Sequence, residues 1–161
     1  MSGITTTSVA TPLLDGLVAF LRDDGWPVTL PTGSVPTVET RCAGSTAEWD
    51  CTGRTFEQQG QVVFDSAVPV EVPEGNGPGM ALLLAGANWK LHTGAFALDP
   101  ATGRVRLRTS LVSTSGPLLH APAAKALVYA NVLIVERCLA TLQAAAAGDM
   151  SLPDALERLD L

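Results

Sequence analysis

Histidine and cysteine are the residue types of this chain most capable of metal binding or nucleophilic chemistry. The two histidines are His92 and His120, and neither has a cysteine or carboxylate at the spacing of a metal site. We therefore interpret both as surface or supporting residues. Cys42 and Cys51 are predicted to face each other across a hairpin. Two buried thiols are the favoured interpretation there, and a bond between them stays open.

Motifs for phosphate binding or nucleophilic catalysis are missing from the sequence. The run from Gly75 to Gly79 is rich in glycine but lacks the lysine of a phosphate-binding loop, and its proline indicates a turn. No Cys-x-x-Cys pair and no Gly-x-Ser-x-Gly elbow occurs. The sequence thus predicts a protein without catalytic residues, metal or cofactor, which is not an enzyme. A small-ligand sensor with a pocket under its sheet stays open as another class.

Three arginines alternate along one predicted strand, so their side chains share a face. Arg104, Arg106 and Arg108 could receive an acidic segment of a partner through charge-assisted hydrogen bonds. The alternative is a solvated sheet face on which they pair with glutamate or aspartate across the strands. We favour the alternative, because exposed antiparallel faces ordinarily carry alternating charge.

Length and composition indicate one globular domain. The chain has 161 residues, 47% of them hydrophobic and 16% charged, and its mean hydropathy of +0.27 predicts apolar surface that meets a partner. The net charge of −6 disfavours binding to nucleic acid and to anionic membranes. The first residues lack a basic start followed by an apolar run, so we expect no signal peptide and a cytoplasmic protein.

Because no basic groove lies beside them, the tryptophans are predicted core residues: Trp26, Trp49 and Trp89.

The first half of the chain predicts one helix followed by three strands. Thr11 offers a capping hydroxyl, Pro12 follows at the first helical position, and an apolar face at four-residue spacing continues to Asp24. From Val35 to Val72 the period changes to two, which predicts three consecutive antiparallel strands. Gly53 marks a bulge or a bend in the second of them.

The second half of the chain predicts a helix, a hairpin, a long helix and a short closing helix. In order these cover residues 80–88, 94–98 with 104–111, 122–147 and 149–161. The predicted fold class is α+β, a five-stranded antiparallel sheet with helices on one side, in the order α-βββ-α-ββ-α plus the short C-terminal helix. We divide the chain into a flexible lead over residues 1–10, the domain over 11–148 and the C-terminal helix over 149–161.

The long helix is apolar nearly all round, since only Tyr129 and Asn131 are polar between residues 126 and 135. Either it is enclosed within its own domain or its outer face meets a second subunit. Its candidate interface residues are Leu127, Tyr129, Leu133 and Ile134. We expect a charge in place of Leu133 to give monomers or aggregates.

Residues 88–111 and the end of the first helix resemble the YbjN family. The run from Asn88 to Asp99 is similar to that family's asparagine, leucine, glycine and phenylalanine pattern between its middle helix and fourth strand. Residues 103–108 are similar to the strand that follows. Phe20 and Leu21, with residues 24–28, are similar to the end of its first helix. The order of elements matches over most of the chain.

The resemblance implies a fold like that of type III secretion chaperones, usually found as homodimers, and a bacterial sensory transduction regulator without catalytic residues. Within the motif, Asn88 is expected to cap the middle helix, Gly94 to permit a tight turn and Phe96 to enter the core. We expect a homodimeric regulatory or adaptor module that binds a protein whose identity does not follow from the sequence. The alternative is an export chaperone that holds an unfolded client segment.

Overall fold

The computed structural model describes residues 10–113, 116, 118–159 and 161, so residues 1–9 of the predicted flexible lead lie outside the described residues. Helices and strands follow one another in the predicted order. They are α1 (Pro12–Asp23), β1 (Thr37–Ala43), β2 (Glu48–Phe56), a 3-10 turn (Glu57–Gln59), β3 (Gln61–Val68), α2 (Gly77–Lys90), β4 (Ala95–Leu98), β5 (Val105–Val112), α3 (Ala121–Ala147) and α4 (Leu152–Arg158).

The five strands form one antiparallel sheet in the order β1-β2-β3-β5-β4, which leaves β1 and β4 at its edges. Residues of β1, β2 and β5 alternate in burial, whereas the central strand β3 is buried on both faces from Val62 to Ser66. The helices pack on the face that holds Phe64 and Leu107. The opposite face, called here the outer face, carries charged side chains such as Arg54 and Arg108. The predicted α+β fold, a five-stranded antiparallel sheet with helices on one side, is confirmed.

The amino end of α1 is capped by a carboxylate from another element. The Glu57 carboxylate accepts hydrogen bonds from the backbone N–H groups of Leu13 at 3.1 Å and Leu14 at 3.2 Å. Thr11 is the N-cap residue and Pro12 begins the helix, as predicted, but the Thr11 hydroxyl does not make the predicted capping hydrogen bond. A carboxylate pairs two free N–H groups and also counters the positive end of the helix dipole, which a neutral hydroxyl does not do.

Gly53 is a point of close packing and not the predicted bulge. It pairs in unbroken register with Val38 on β1 and Phe64 on β3. A Cβ atom at this position would lie 2.5 Å from Cδ2 of Leu17. The missing side chain therefore lets α1 approach the middle of the sheet.

α2 begins at Gly77 rather than at the predicted Met80, because Pro78 fits the first turn of a helix, where its missing N–H costs nothing. Gly86 lies on the side of α2 that meets α4. A Cβ atom there would collide with Leu156, so the absent side chain lets α4 pack against α2.

Asn88 joins α2 to β4. Its Oδ1 accepts a hydrogen bond from the Phe96 N–H at 2.7 Å, and its Nδ2 donates to the Phe96 carbonyl at 2.9 Å. The helix continues to Lys90, so the prediction that Asn88 caps it is wrong. Gly94 adopts φ +77° in the turn that follows, and Phe96 is buried. The asparagine thus fixes the place of the edge strand relative to α2.

α3 is covered on more than one side within the domain. The side chain of Asn131 is fully buried against the sheet, and its Nδ2 donates to the carbonyls of Phe64 at 3.0 Å and Leu107 at 3.1 Å. α1 and α4 also pack against this helix. Gly148, with φ +82°, ends it as predicted. Cover from the sheet and from two helices explains why α3 carries no single apolar stripe.

Candidate protein-binding groove

A groove of about 440 Å³ opens where the end of α1, the end of β1 and the middle of α3 meet. The wall from α3 consists of residues at helical spacing that therefore share one face: Tyr129, Val132, Leu133 and Glu136. Trp26 after α1 and Cys42 on β1 complete an apolar and aromatic lining. We call this the α1–β1–α3 groove.

Aromatic side chains close one end of the groove. The Trp26 N–H donates to the Leu21 carbonyl at 2.8 Å after α1 ends, which turns Trp26 toward α3. The Trp26 and Tyr129 rings meet edge to face, with their centroids 6.4 Å apart. Asp24 accepts hydrogen bonds from the Tyr129 hydroxyl at 2.8 Å and the Trp26 indole N–H at 3.0 Å. Both bonds lower the pKa of Asp24, and the bond between Asp24 and Tyr129 raises the pKa of the Tyr129 hydroxyl.

Glu136 holds the other end of the groove by binding the β1–β2 turn to α3. Its Oε1 accepts from the Ser45 backbone N–H at 2.9 Å and from the Ser45 hydroxyl. The turn is closed by the Gly44 N–H, which donates to the Ala47 carbonyl at 2.9 Å. A Cβ atom on Gly44 would lie 2.6 Å from the Trp49 ring, so glycine is needed at this turn.

The outer edge of β1 borders the groove with backbone groups that point away from the sheet. Thr29 exchanges both backbone hydrogen bonds with Glu39, at 2.9 and 2.8 Å. Because backbone groups alternate sides along a strand, those of Arg41 and Ala43 also point outward. The residue opposite Arg41 in this pairing is Pro27, which has no N–H to donate. An added strand could therefore pair with β1 beside the groove.

The thiols near the groove are poorly suited to nucleophilic chemistry. Burial, with a smaller contribution from the charge of Glu136, raises the pKa of Cys42 to about 11, and burial raises the pKa of Cys51 to about 12. Both thiols are free and buried, which agrees with the favoured interpretation. The prediction that they face each other is wrong, because Cys42 stands opposite Trp49 and Cys51 stands opposite Thr40. Within the described ranges, no three His, Cys, Asp or Glu side chains are grouped so that they could hold a metal ion. The helices that the structure describes also include none with the length and apolarity to cross a membrane. The groove is therefore better suited to binding a partner or a ligand than to thiol chemistry.

The candidate residues of α3 lie in different surroundings. Tyr129 lines the groove together with Leu133, whose side chain is 48% exposed. Leu127 is only 5% exposed and belongs to the core, so the prediction that it contributes to a partner surface is wrong. Ile134 is half-buried against the core. The sequence could not separate these residues, because α3 is covered by the sheet and by two helices at different angles.

The three predicted arginines lie on the outer face, away from the groove. Arg108 binds Asp65 of β3 through two hydrogen bonds, of 2.8 and 3.0 Å, and Arg54 of β2 binds the same carboxylate. For Arg108 the cross-strand pair is therefore the correct interpretation. Arg104 and Arg106 are exposed, and neither forms an ion pair with any described residue.

Replacing Asp65 by asparagine is expected to lower the free energy of unfolding at neutral pH by about 1–3 kcal/mol, because two arginines lose their shared carboxylate. Burial alone would raise the pKa of Asp65, but the bonds from Arg108 and Arg54 outweigh it and lower the pKa. The stabilisation is therefore complete above the ordinary aspartate pKa and is lost as the pH falls through the lowered one. Urea unfolding of both proteins between about pH 7 and pH 2 measures this difference.

Asp50→Asn is the matched control for that measurement, because Asp50 pairs with Arg41 at an exposed site. Its expected effect is much smaller than that of Asp65→Asn, because exposed ion pairs contribute little to stability. A difference between the wild type and Asp65→Asn that stays constant over the whole pH range would contradict the prediction.

α2 presents an exposed apolar surface that the sequence did not predict. Trp89 is 91% exposed and Leu82 is 64% exposed, so the prediction that Trp89 is a core residue is wrong, whereas Trp49 is buried. The exposed residues follow helical spacing along one face, here called the α2 stripe: Pro78, Ala81, Leu82, Ala85 and Trp89. The one charged residue of α2, Lys90, turns away and donates to the Leu156 carbonyl of α4. The helical spacing of these residues is the signal in the sequence that could have indicated the stripe. It does not tell the exposed face from the buried one, because the opposite face of α2 is equally apolar.

Comparison with known proteins gives matches to solved structures only, since no family model and no curated protein matches the chain. YbjN from E. coli, described as a proposed transcription regulator, matches with a TM-score of 0.59 and 17% identity, over 88% of this chain and 97% of that one. The ExsC–ExsE complex matches with a TM-score of 0.57 and 17% identity, over 80% of this chain and 92% of that one. The HopA1–SchA chaperone–effector complex matches with a TM-score of 0.51 and 14% identity, over 78% of this chain and 90% of that one. The predicted YbjN-like fold, related to that of type III secretion chaperones, is confirmed.

Proposed function

We propose that this protein is a non-catalytic binding module whose α1–β1–α3 groove holds an extended segment of another protein. The observation that carries the proposal is that apolar Leu133 and aromatic Trp26 lie beside the outward backbone of Arg41 and Ala43. A segment bound there would pair with β1 and place alternate side chains in the groove. ExsC–ExsE and HopA1–SchA, which share the fold, are complexes of two proteins, and this supports a protein partner.

The protein forms a homodimer through the α2 stripe. The stripe exposes Leu82 and Trp89 and carries no charge, since Lys90 turns to α4. A second copy is the partner that fits, because two antiparallel α2 helices would bring the large residues of each onto the small residues of the other. Ala81 and Ala85, in the middle of the stripe, allow the close approach that this packing needs.

The module acts as a regulatory adaptor in the cytoplasm. An adaptor holds one short segment of a folded partner, whereas an export chaperone holds a long unfolded stretch of its client. A groove of about 440 Å³ has room for only a few side chains, which supports the adaptor. Hydrogen exchange of the bound partner separates the two roles, because protection confined to one short segment indicates an adaptor and protection over a long stretch indicates a chaperone.

Leu133→Glu is expected to remove the partner from the groove, since a carboxylate would replace the apolar contact at its centre. The tagged protein is purified from its own cells, and the bound proteins are quantified by mass spectrometry. The partner should fall by about tenfold or more. Leu30→Glu is the matched control, because Leu30 is 51% exposed and does not line the groove.

A photo-crosslinking residue in place of Leu133 should join the same partner through one segment, and one in place of Leu30 should not. Equal amounts of partner on the wild type and on Leu133→Glu would contradict the proposal. No bound protein above background would contradict it as well. That second result would favour a small ligand, because a cavity of about 440 Å³ is also large enough for one.

A further inference from the structure

We propose that the outer face of the sheet carries a second binding site, in which Arg104 and Arg106 bind carboxylate side chains of an acidic protein segment. The site is separate from the α1–β1–α3 groove, because it lies on the opposite face of the sheet and next to the β4 edge. The inference therefore does not depend on the function proposed for the groove.

The strand register gives the first reason. On β3, Asp65 stands opposite Arg108, and Ala67 stands opposite Arg106. The chain thus provides a carboxylate to Arg108 and only a methyl group to the next arginine on the same face. On the other side of β5, Arg106 faces Ala97 of β4, which is also small. The acceptor that Arg108 finds within the fold is missing for Arg106, and a carboxylate from outside would take that position.

The shape of the surface gives the second reason. A cavity of about 390 Å³ is lined by both exposed arginines and by small or apolar residues that include Ala67, Ala97 and Leu98. Long side chains at the two alanine positions would fill this space. The carboxylate of Asp99 also lines the cavity and its charge acts on Arg104, but it forms an ion pair with neither arginine. It accepts instead from the Thr102 hydroxyl at 2.7 Å and the Ala101 N–H at 3.0 Å within its own turn. The cavity therefore combines apolar walls with two guanidinium groups and one carboxylate, which leaves its charged lining net positive.

The distribution of charge gives the third reason and selects the occupant. The chain has a net charge of −6 and only ten basic residues, yet four of these lie close together on the outer face: Arg54, Arg104, Arg106 and Arg108. Asp65 is the acidic residue that binds two of them. An acidic protein segment can reach this local positive patch through side chains, whereas a nucleic acid duplex would also meet the negative remainder of the surface. An acidic segment with small or apolar residues between its carboxylates fits the two arginines and the walls of the cavity.

Fluorescence anisotropy with two labelled peptides tests the site, one alternating glutamate with alanine and the other glutamine with alanine. The wild-type protein should bind the glutamate peptide at least about tenfold more tightly, and added salt should weaken this binding. The double variant Arg104→Gln with Arg106→Gln should lose about tenfold in affinity or more. Arg22→Gln with Arg137→Gln removes two exposed arginines from helices and should change the affinity by less than about twofold.

Equal binding of the two peptides, or no loss of affinity in the Arg104 and Arg106 double variant, would overturn the proposal. Leu133→Glu should bind the glutamate peptide as the wild type does, which separates this site from the groove. The mass of the double variant by light scattering should equal that of the wild type. A change from dimer to monomer in the double variant would assign this face to a second copy of the chain and would likewise overturn the proposal.

Discussion

Replacing Trp89 by glutamate is expected to convert a homodimer into monomers. The side chain is 91% exposed on the α2 stripe, and burying a tryptophan in an interface removes about 150–250 Å² of its surface from water. A carboxylate in its place would be desolvated without a partner on an uncharged surface. The dissociation constant should rise by about a hundredfold or more, which corresponds to about 3 kcal/mol. Size exclusion with light scattering should give twice the 16.7 kDa chain mass for the wild type and a single chain mass for the variant.

Two further variants locate the interface. Leu82→Glu should act as Trp89→Glu does, because both residues lie on the α2 stripe, whereas Leu30→Glu adds the same charge elsewhere and should remain dimeric. Leu133→Glu should also remain dimeric. Monomers from Leu133→Glu alone would place the interface on α3, as the sequence had predicted, and would contradict the assignment to α2. A wild type that is monomeric at all concentrations would contradict the dimer itself.

Asn131→Asp is expected to cause the largest loss of stability, about 3–5 kcal/mol at neutral pH. The Asn131 side chain is fully buried, and its amide group donates to the carbonyls of Phe64 and Leu107. A carboxylate of the same shape would turn negative oxygens toward those carbonyls and would have no room for water. Because the folded state would raise the pKa of the new carboxyl group, the loss should shrink as the pH falls toward about 4. Urea unfolding at several pH values measures it.

Asn131→Leu is the control for size and burial, since leucine has a similar branched shape and carries no charge. The Phe64 and Leu107 carbonyls belong to residues that each have a partner in the ladder between β3 and β5. Both carbonyls therefore keep a ladder partner when the amide is removed. The expected loss is about 1–2 kcal/mol and independent of pH. If Asn131→Asp and Asn131→Leu had equal effects at neutral pH, the stated cause would be wrong.

Local signals in the sequence were sufficient for the order of the elements. Pro12 and Gly148 mark the ends of helices through backbone constraints that act within a few residues. Alternation of apolar and polar residues predicts strands for the same reason, since neighbouring side chains point to opposite faces. The predictions that failed concerned contacts with residues far away in the chain. The cap of α1 comes from Glu57, and Gly53 serves the approach of Leu17, so neither could be seen from nearby residues.

The sequence by itself determined the fold class, because periodicity and turn residues are properties of short segments. Only the tertiary structure decided which apolar and charged residues remain exposed. Leu82 and Leu83 are neighbours of the same type, yet α4, β4 and the core cover one and leave the other in solvent. Arg106 and Arg108 also look alike in sequence, and the residue that separates them is Asp65, which the strand register brings opposite Arg108 alone. Exposure and charge pairing depend on contacts between elements that are far apart in the chain. The candidate binding surfaces are defined by these two properties, so only the tertiary structure could reveal them.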